Sequence, residues 1–343
     1  MRAALILGPS TSITRWQFEA LQHAVADGLV IAQVLNCTDG YKKKLRFRNA
    51  AYYALAVLAR RRMPMVSSRD VRTLIPMNAE WISFESEWEG LWQRIPRDVS
   101  TRLSEVDVAI RFGMNLIRDP QSLPLKHGIL SYHHGDPEHF RGRPAVFYEQ
   151  LEGVPIAGVI VQRLSNTLDG GVVLARGFSR MHSNSYAKSL DALYETGIPL
   201  LSKAIAACTS GETITRMGLG ENYTLPTNGQ VLKVFGRMVR SIFNRLTYGA
   251  LQEKRWQVAF LSEFDLRFGS QEIDVSGLLP IGRPRGYTFA ADPIGERHGA
   301  IYCEVMNSRT GKGEIARFAD NSWSIVDIPL SGVHASYPQI VLS

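Results

Sequence analysis

Short apolar runs alternate with stretches of helical periodicity through the first 210 residues, and that alternation restricts the chain to one class of fold. Residues 3–7 and 29–35 read as buried strands. Between them, residues 14–26 carry Trp16, Leu21 and Val25 at helical spacing. The segment 45–62 reads as a helix that is apolar nearly all round its middle. Residues 63–97 interrupt the rhythm with Pro64, Pro76 and Pro96 and with Trp81, Trp88 and Trp92, the pattern of an insertion packed on the core. The alternation then resumes: a short helix over 100–104, strands over 106–112, 128–132, 157–164 and 171–177, and an amphipathic helix over 186–207. Strands separated by helices predict an α/β domain with a mainly parallel sheet and its sites at the carboxyl ends of strands.

The character changes after residue 210. Residues 211–255 form a connector with a basic helix over 231–248, and residues 256–343 alternate short β-like segments with Gly, Pro, Asp and Asn turns. Three regions are therefore expected: 1–210, 211–255 and a β-rich C-terminal domain over 256–343. A chain of 343 residues with 45% hydrophobic and 21% charged residues supplies an ordinary core and excludes the disordered and fibrous classes. No apolar run reaches the roughly 18 residues of a membrane span, and the opening MRAALILGPS reads as a first strand, not a leader. Cys37, Cys208 and Cys303 lack metal-ligand or paired spacing, so neither zinc nor a disulfide framework is expected, and the expected compartment is the reducing cytoplasm.

The net charge of +7 is concentrated in two islands. Residues 40–62 hold Lys42, Lys43, Lys44, Arg46, Arg48, Arg60, Arg61 and Arg62 with no acid, and residues 231–256 hold Lys233, Arg237, Arg240, Arg245, Lys254 and Arg255 against Glu253. Such islands suit phosphate, whether on a nucleotide-linked substrate, on RNA or at a membrane surface, or else are solvated helix faces. Phosphate on the acceptor is the expectation here, because stacking aromatics are not interleaved with the cations.

Chemistry concentrates in residues 128–177. The strand GILSY carries Ser131 and leads to His133 and His134, followed by the turn Gly135-Asp136-Pro137 and by Arg141-Gly142-Arg143. The strand AGVIVQRL leads into a loop, residues 165–171, that holds Asp169 ahead of two glycines. An imidazole and a carboxylate at adjacent strand ends make a proton-transfer pair, because the acid orients the ring and stabilises its charged form. Satisfied loop and turn residues are the plain alternative.

The order His133, Arg141-Gly142, Gly158 and Leu168-Asp169-Gly170-Gly171, with Asp169 36 positions after His133, resembles the formyltransferases that use 10-formyltetrahydrofolate. That family includes glycinamide ribonucleotide, methionyl-tRNA and sugar N-formyltransferases, and the resemblance covers residues 1–208. It implies a Rossmann-like fold. It also implies a pterin cradled by Phe112, Gly113, Met114, Asn115, Leu116 and Ile117 on one side and by Thr167 and Leu168 on the other. His133 would then polarise the formyl group, and Asp169 would set its charge and take the proton of the attacking amine. Arg141 and Arg143, in a turn similar to that of the sugar enzymes, and His134 would face the acceptor. Ser131 stands where the family carries Asn, so one donor to the developing oxyanion is shorter and aimed differently; outright loss of such a donor typically costs about 2.7–4 kcal/mol in the transition state.

Within 256–343, Ala291-Asp292-Pro293, Glu304, residues 310–315 and residues 334–338 are similar to blade motifs of β-propellers of the arabinanase type and to the propeller-like region of plant glucosamine inositolphosphorylceramide transferases. The segment is long enough for little more than one blade, so it is either part of a longer protein or a local β-meander. Turn chemistry is the favoured role of Asp292 and His334. Taken together, the resemblances imply formyl transfer to the amine of a small, phosphorylated or nucleotide-linked amino sugar. Methionyl-tRNA formylation, formyltetrahydrofolate hydrolysis and a catalytically weak folate- or glycan-binding module remain as alternatives.

Overall fold

The computed structural model describes residues 1–40, 45–215, 218–251, 256–261, 278–295, 299–329 and 333–339. The chain divides into two compact units, Met1–Arg245 and Leu246–Ser343. The first is built on a seven-stranded sheet in the spatial order Val172–Arg180, Ile156–Arg163, Ile129–His133, Val108–Arg111, Arg2–Leu7, Val30–Cys37, Glu80–Phe84. Neighbours from Ile129–His133 to Glu80–Phe84 are parallel, and the two steps at the other edge are antiparallel.

Strand parity explains why this sheet forms and where its two cores lie. Along Arg2–Leu7, Ala3, Leu5 and Leu7 enter one apolar cluster while Ala4 and Ile6 enter the other. Both faces are covered, and each fully buried Leu or Ile contributes about 1.5–3 kcal/mol. One face is covered by the helices Arg15–Ala26, Tyr186–Gly197 and Leu200–Ser210, the other by Arg97–Arg102. The Arg15–Ala26 helix begins where the Thr14 backbone N–H donates to Gln17 Oε1 at 2.9 Å, which satisfies a donor the helix start leaves open.

Three segments differ from the sequence expectation. Residues 186–207 form two helices because Pro199, without an N–H, ends the first and opens the second. The 45–62 segment is helical only over Ala50–Arg60, preceded by a single 3₁₀ turn at Phe47–Asn49. Residues 63–97 are more than an insertion on the core: Glu80–Phe84 is an edge strand of the central sheet, and Trp92–Arg94 pairs with Leu116–Ile117. The sequence EWISF hid that strand because one of its two outward positions exposes the large apolar Trp81, which blurs the alternation.

The second unit contains a four-stranded antiparallel meander, Tyr287–Gly295, Ile301–Asn307, Gly313–Ala319 and Ser322–Ile325, around Ala290, Cys303, Val305 and Ala316. No helix among the described residues is long and apolar enough to cross a membrane.

Candidate functional site

His133 ends the Ile129–His133 strand, and its side chain lies on the same face as Ser131, two residues earlier. The ring is 7% exposed. Its Nδ1 lies 3.2 Å from Asp169 Oδ1, and its Nε2 lies 3.1 Å from the Phe140 carbonyl. Carboxylate and carbonyl only accept, so a ring that satisfies both donates from both nitrogens and is the imidazolium. Burial pushes the His133 pKa down, but the hydrogen bond and charge of Asp169, with the Phe140 carbonyl, outweigh it and raise the pKa above 6.5. Burial pulls Asp169 the other way, yet its bonds to His133 and to the Gly142 N–H, with nearby Arg111, hold its carboxyl below 3.8.

The expectation that this pair comes from adjacent carboxyl strand ends needs correcting. Ile156–Arg163 runs antiparallel to Ile129–His133, so its end faces Leu130 and not His133. Asp169 reaches the ring because the 164–171 loop folds back along the sheet. Gly171 permits that return: a Cβ there would stand 2.1 Å from the Arg163 carbonyl oxygen, and its N–H donates to Gln162 Oε1 at 2.9 Å. Asp169 itself adopts φ 50°, a left-handed conformation that Asp tolerates better than most residues. Across the site, the turn of residues 135–141 wraps the ring so closely that a Cβ on Gly135 would lie 2.8 Å from His133 Nε2.

A narrow cleft opens beside this pair. Its walls are Trp92, Arg111, Leu116, Ile117, Ser131, Gln162, Thr167, Leu168 and Asp169, and its volume is about 40 Å³. Ser131 is buried and its Oγ donates to the Tyr132 carbonyl at 3.3 Å. Arg111 is its register partner on the neighbouring strand, and Arg111 Nη1 donates to the Asn115 carbonyl at 2.6 Å. Burial lowers the Arg111 pKa, and Asp169 partly restores it. Trp92, Leu116, Ile117 and Leu168 make part of the wall apolar while Gln162 and Thr167 add polar groups, but this volume holds one or two waters rather than a bicyclic ring. Arg111 is the longest of the charged side chains that line it.

The other residues expected at the site separate into two groups. Leu116, Ile117, Thr167 and Leu168 line the cleft, together with Ser131 and Asp169, and the rest are committed elsewhere. Ile117, at 2% exposure, also belongs to the core beneath the cleft, and Met114, at φ 63°, packs against the same cluster. Phe112 packs edge-on against Trp16, with centroids 5.9 Å apart. Gly113 lies against the backbone of Leu7 and Gly8, where a Cβ would clash. Asn115 is tied to the carbonyl of Leu91 at 2.9 Å and to Gln93. His134, one residue past His133, points to the opposite face and meets Trp16, Tyr132 and Tyr194. It is not beside His133's pocket, because successive strand side chains alternate in direction.

Arg141 is also committed elsewhere: Nε donates to the Gly220 carbonyl at 2.7 Å and Nη1 to the Leu168 carbonyl at 3.3 Å. The second bond ties the loop bearing Asp169 to residues 140–142, and the first ties those residues to the segment ahead of Glu221–Tyr223, with which they pair. Arg143 is exposed. Three contributors escaped the sequence reading. Arg111 and Trp92 line the cleft, and Glu149 is 2% exposed with Oε1 buried and unpartnered. Burial pushes the Glu149 carboxyl up to about 7, and its charge favours the protonated His133. The available signal was an acid in the middle of the short apolar helix Phe147–Glu152.

Of the basic islands, Arg46, Arg48, Arg60, Arg61, Arg62, Lys233, Arg237, Arg240 and Arg245 are exposed, while Lys42, Lys43, Lys44, Lys254 and Arg255 lie outside the described residues. In the second unit, His334 Nδ1 accepts from the Gly313 N–H at 3.0 Å and Nε2 lies 3.4 Å from Glu304 Oε1, a structural tie between strands. Asp292 adopts φ 49°, a turn conformation. Among the described residues no cluster of His, Cys, Asp and Glu is arranged to hold a metal.

No protein-family model matches the chain, and no curated protein matches it. Solved structures do match. One is an N-formyltransferase from Helicobacter canadensis in complex with folinic acid and dTDP-3-aminofucose, at 10% identity and TM-score 0.45, over 71% of this chain and 82% of that one. Another is a phosphoribosylglycinamide formyltransferase from Anaplasma phagocytophilum, at 16% identity and TM-score 0.43, over 66% and 98%. A formyltetrahydrofolate deformylase from Pseudomonas syringae pv. tomato matches at 14% identity and TM-score 0.39, over 64% and 66%. The chain is thus similar to formyltransferases and a deformylase at low sequence identity.

Proposed function

We propose that the first unit transfers a formyl group from 10-formyltetrahydrofolate to the amine of a small amino sugar, phosphorylated or nucleotide-linked. The observation that carries this reading is the buried His133–Asp169 pair, at 3.2 Å, beside a cleft that Ser131 also lines. The donor, when bound, supplies a formyl carbon whose oxygen gathers negative charge as the amine attacks. His133, held as a cation, stabilises that charge, and Asp169 holds the ring in orientation and takes the amine's proton; as the tetrahedral adduct collapses, the bond between the formyl carbon and N10 breaks and that proton passes to N10 of the departing tetrahydrofolate. Arg143, exposed beside the pocket's turn, is the cation available to an acceptor phosphate, since Arg141 is spent on carbonyls.

Incubation with 10-formyltetrahydrofolate and a panel of amino-sugar nucleotides, with mass detection of the formylated product, tests the proposal. Release of formate without an adduct would favour hydrolysis, and formylation of initiator methionyl-tRNA would replace the sugar. A second reading, a catalytically weak folate-binding module, is favoured by Ser131 and by the Phe140 carbonyl that occupies His133 Nε2. Binding of a 5-formyl folate in a thermal shift assay with no turnover on any acceptor would support it. Absence of folate binding at millimolar ligand would remove both.

A further inference from the structure

Two exposed segments of the first unit combine apolar and basic side chains in a way the proposed chemistry does not use. The Asn228–Leu251 helix has no acid in its sequence. It seats Val234, with Val231 and Met238, on the main core. Yet Leu232, Phe235, Val239, Ile242 and Phe243 stand outward, Leu232 at 70% and Phe243 at 64% exposure. At 3.6 residues per turn these five fall within a stripe roughly 100° wide, next to the seated face, and Lys233, Arg237 and Arg240 gather on the side beyond it. The second segment shows the same mixture. Leu45 and Phe47 are 77% and 90% exposed, Val57 and Leu58 also face outward, and Arg46, Arg48 and Arg60 to Arg62 are exposed between and beyond them.

The two segments start side by side. Asn228 Nδ2 donates to the Phe47 carbonyl at 3.1 Å, the Ala51 N–H donates to Asn228 Oδ1 at 3.0 Å, and Asn49 Nδ2 donates to the Pro226 carbonyl at 2.8 Å. Asn49 is 2% exposed, so this join is fixed.

We propose that the two segments form one docking face for an anionic lipid bilayer, with the apolar stripe entering the acyl boundary and the flanking cations meeting the headgroups. A helix that sets exposed Phe and Leu on one face against an acid-free basic face is the kind that lies in the membrane interface. It lies there without spanning: no helix among the described residues is long and apolar enough to cross. Charge selects this occupant over a second copy, because self-association would bring two acid-free basic faces together. Aliphatic Leu232, Val239 and Ile242 select it over a nucleic acid, whose bases are gripped by stacking aromatics. The face stands apart from the catalytic reading and does not rest on it.

The test is co-sedimentation of the full chain with vesicles of phosphatidylcholine alone and of phosphatidylcholine with about one-third phosphatidylglycerol, at low and high salt. Binding to the anionic vesicles is expected, weakened by salt and much weaker on phosphatidylcholine alone. Lys233→Gln, Arg237→Gln and Arg240→Gln should each weaken it about fivefold. Phe235→Glu with Leu232→Glu should weaken it by more than about tenfold, since burial of each apolar side chain is lost and two repelled charges are added. All five side chains are exposed, so circular dichroism melts should stay unchanged and report that the variants fold. No sedimentation with anionic vesicles would overturn the proposal. So would equal binding to neutral vesicles, a dimer that Phe235→Glu splits, or retention of RNA in a gel shift without vesicle binding.

Discussion

His133 and His134 are neighbours in sequence and opposites in structure. His133 faces the polar side of the sheet, where Asp169 and the Phe140 carbonyl accept from its ring. His134 faces the aromatic side, between Trp16 and Tyr194, and its Nε2 is buried without a hydrogen-bond partner. Burial, with the charge of His133, pushes the His134 pKa down to about 3, while the acceptors around His133 raise that ring's pKa above 6.5. The two rings differ only in strand parity, so what a histidine does here is decided by the face it points to.

Activity offers the largest test of that contrast. His133→Ala and Asp169→Asn should each cut formyl transfer by about 10²–10⁴-fold in a discontinuous assay, whereas His134→Phe, which keeps a ring in the aromatic cluster, should retain the rate within a few-fold. Equal losses at both histidines would return His134 to the active site.

Acid stability comes next, because the signs are opposed. For His134 the folded pKa is depressed, so the unfolded chain binds the extra proton, and stability present above pH 6.5 is lost as pH falls toward 3. The slope approaches about 1.4 kcal/mol per pH unit, and urea titrations of His134→Phe between pH 6 and 4 should show much of it removed. For His133 the folded pKa is raised, so its contribution is full below pH 6.5 and lost as pH rises through the folded value. Asp169, held below 3.8, contributes above that range and loses its part as pH falls through its own folded value. A His134→Phe variant with an unchanged acid slope would show that its ring is hydrated.

Smaller effects sharpen the polar side of the comparison. Gly171→Ala should cost about 1–3 kcal/mol in denaturant unfolding, because the new methyl meets the Arg163 carbonyl, and with the loop displaced the Asp169 contact and the turnover should fall together. Ser131→Asn should raise kcat about tenfold, corresponding to about 1.4 kcal/mol, if the residue is only a shortened oxyanion donor. A fall in rate would mean that the cleft has been rebuilt around Ser131 and Arg111, with no room for the longer amide.

Much of the first unit was legible from pattern. The strands at residues 3–7, 128–132, 157–164 and 171–177 emerge within a few positions of the observed bounds, because strands largely buried on both faces are short, continuous and apolar. Less legible was Glu80–Phe84, an edge strand whose partner, Val30–Cys37, is distant in sequence. Arg111 escaped because a lone arginine at a strand end carries no local signal; only the pairing with Ser131 places it at the cleft.

What the sequence alone determined is the alternation of elements, the change of character near residue 210, the two basic islands and the spacing that brings His133 and Asp169 into one motif. Those features depend on local chemistry and on period, which a chain carries in its order. Only the tertiary structure decided that Asp169 reaches His133 by a loop folding back over an antiparallel strand, that Arg141 is spent on carbonyls, and that His134 turns away from the site. Each of these depends on which distant backbone groups lie opposite one another, and register between strands far apart in sequence is set by packing of the whole sheet.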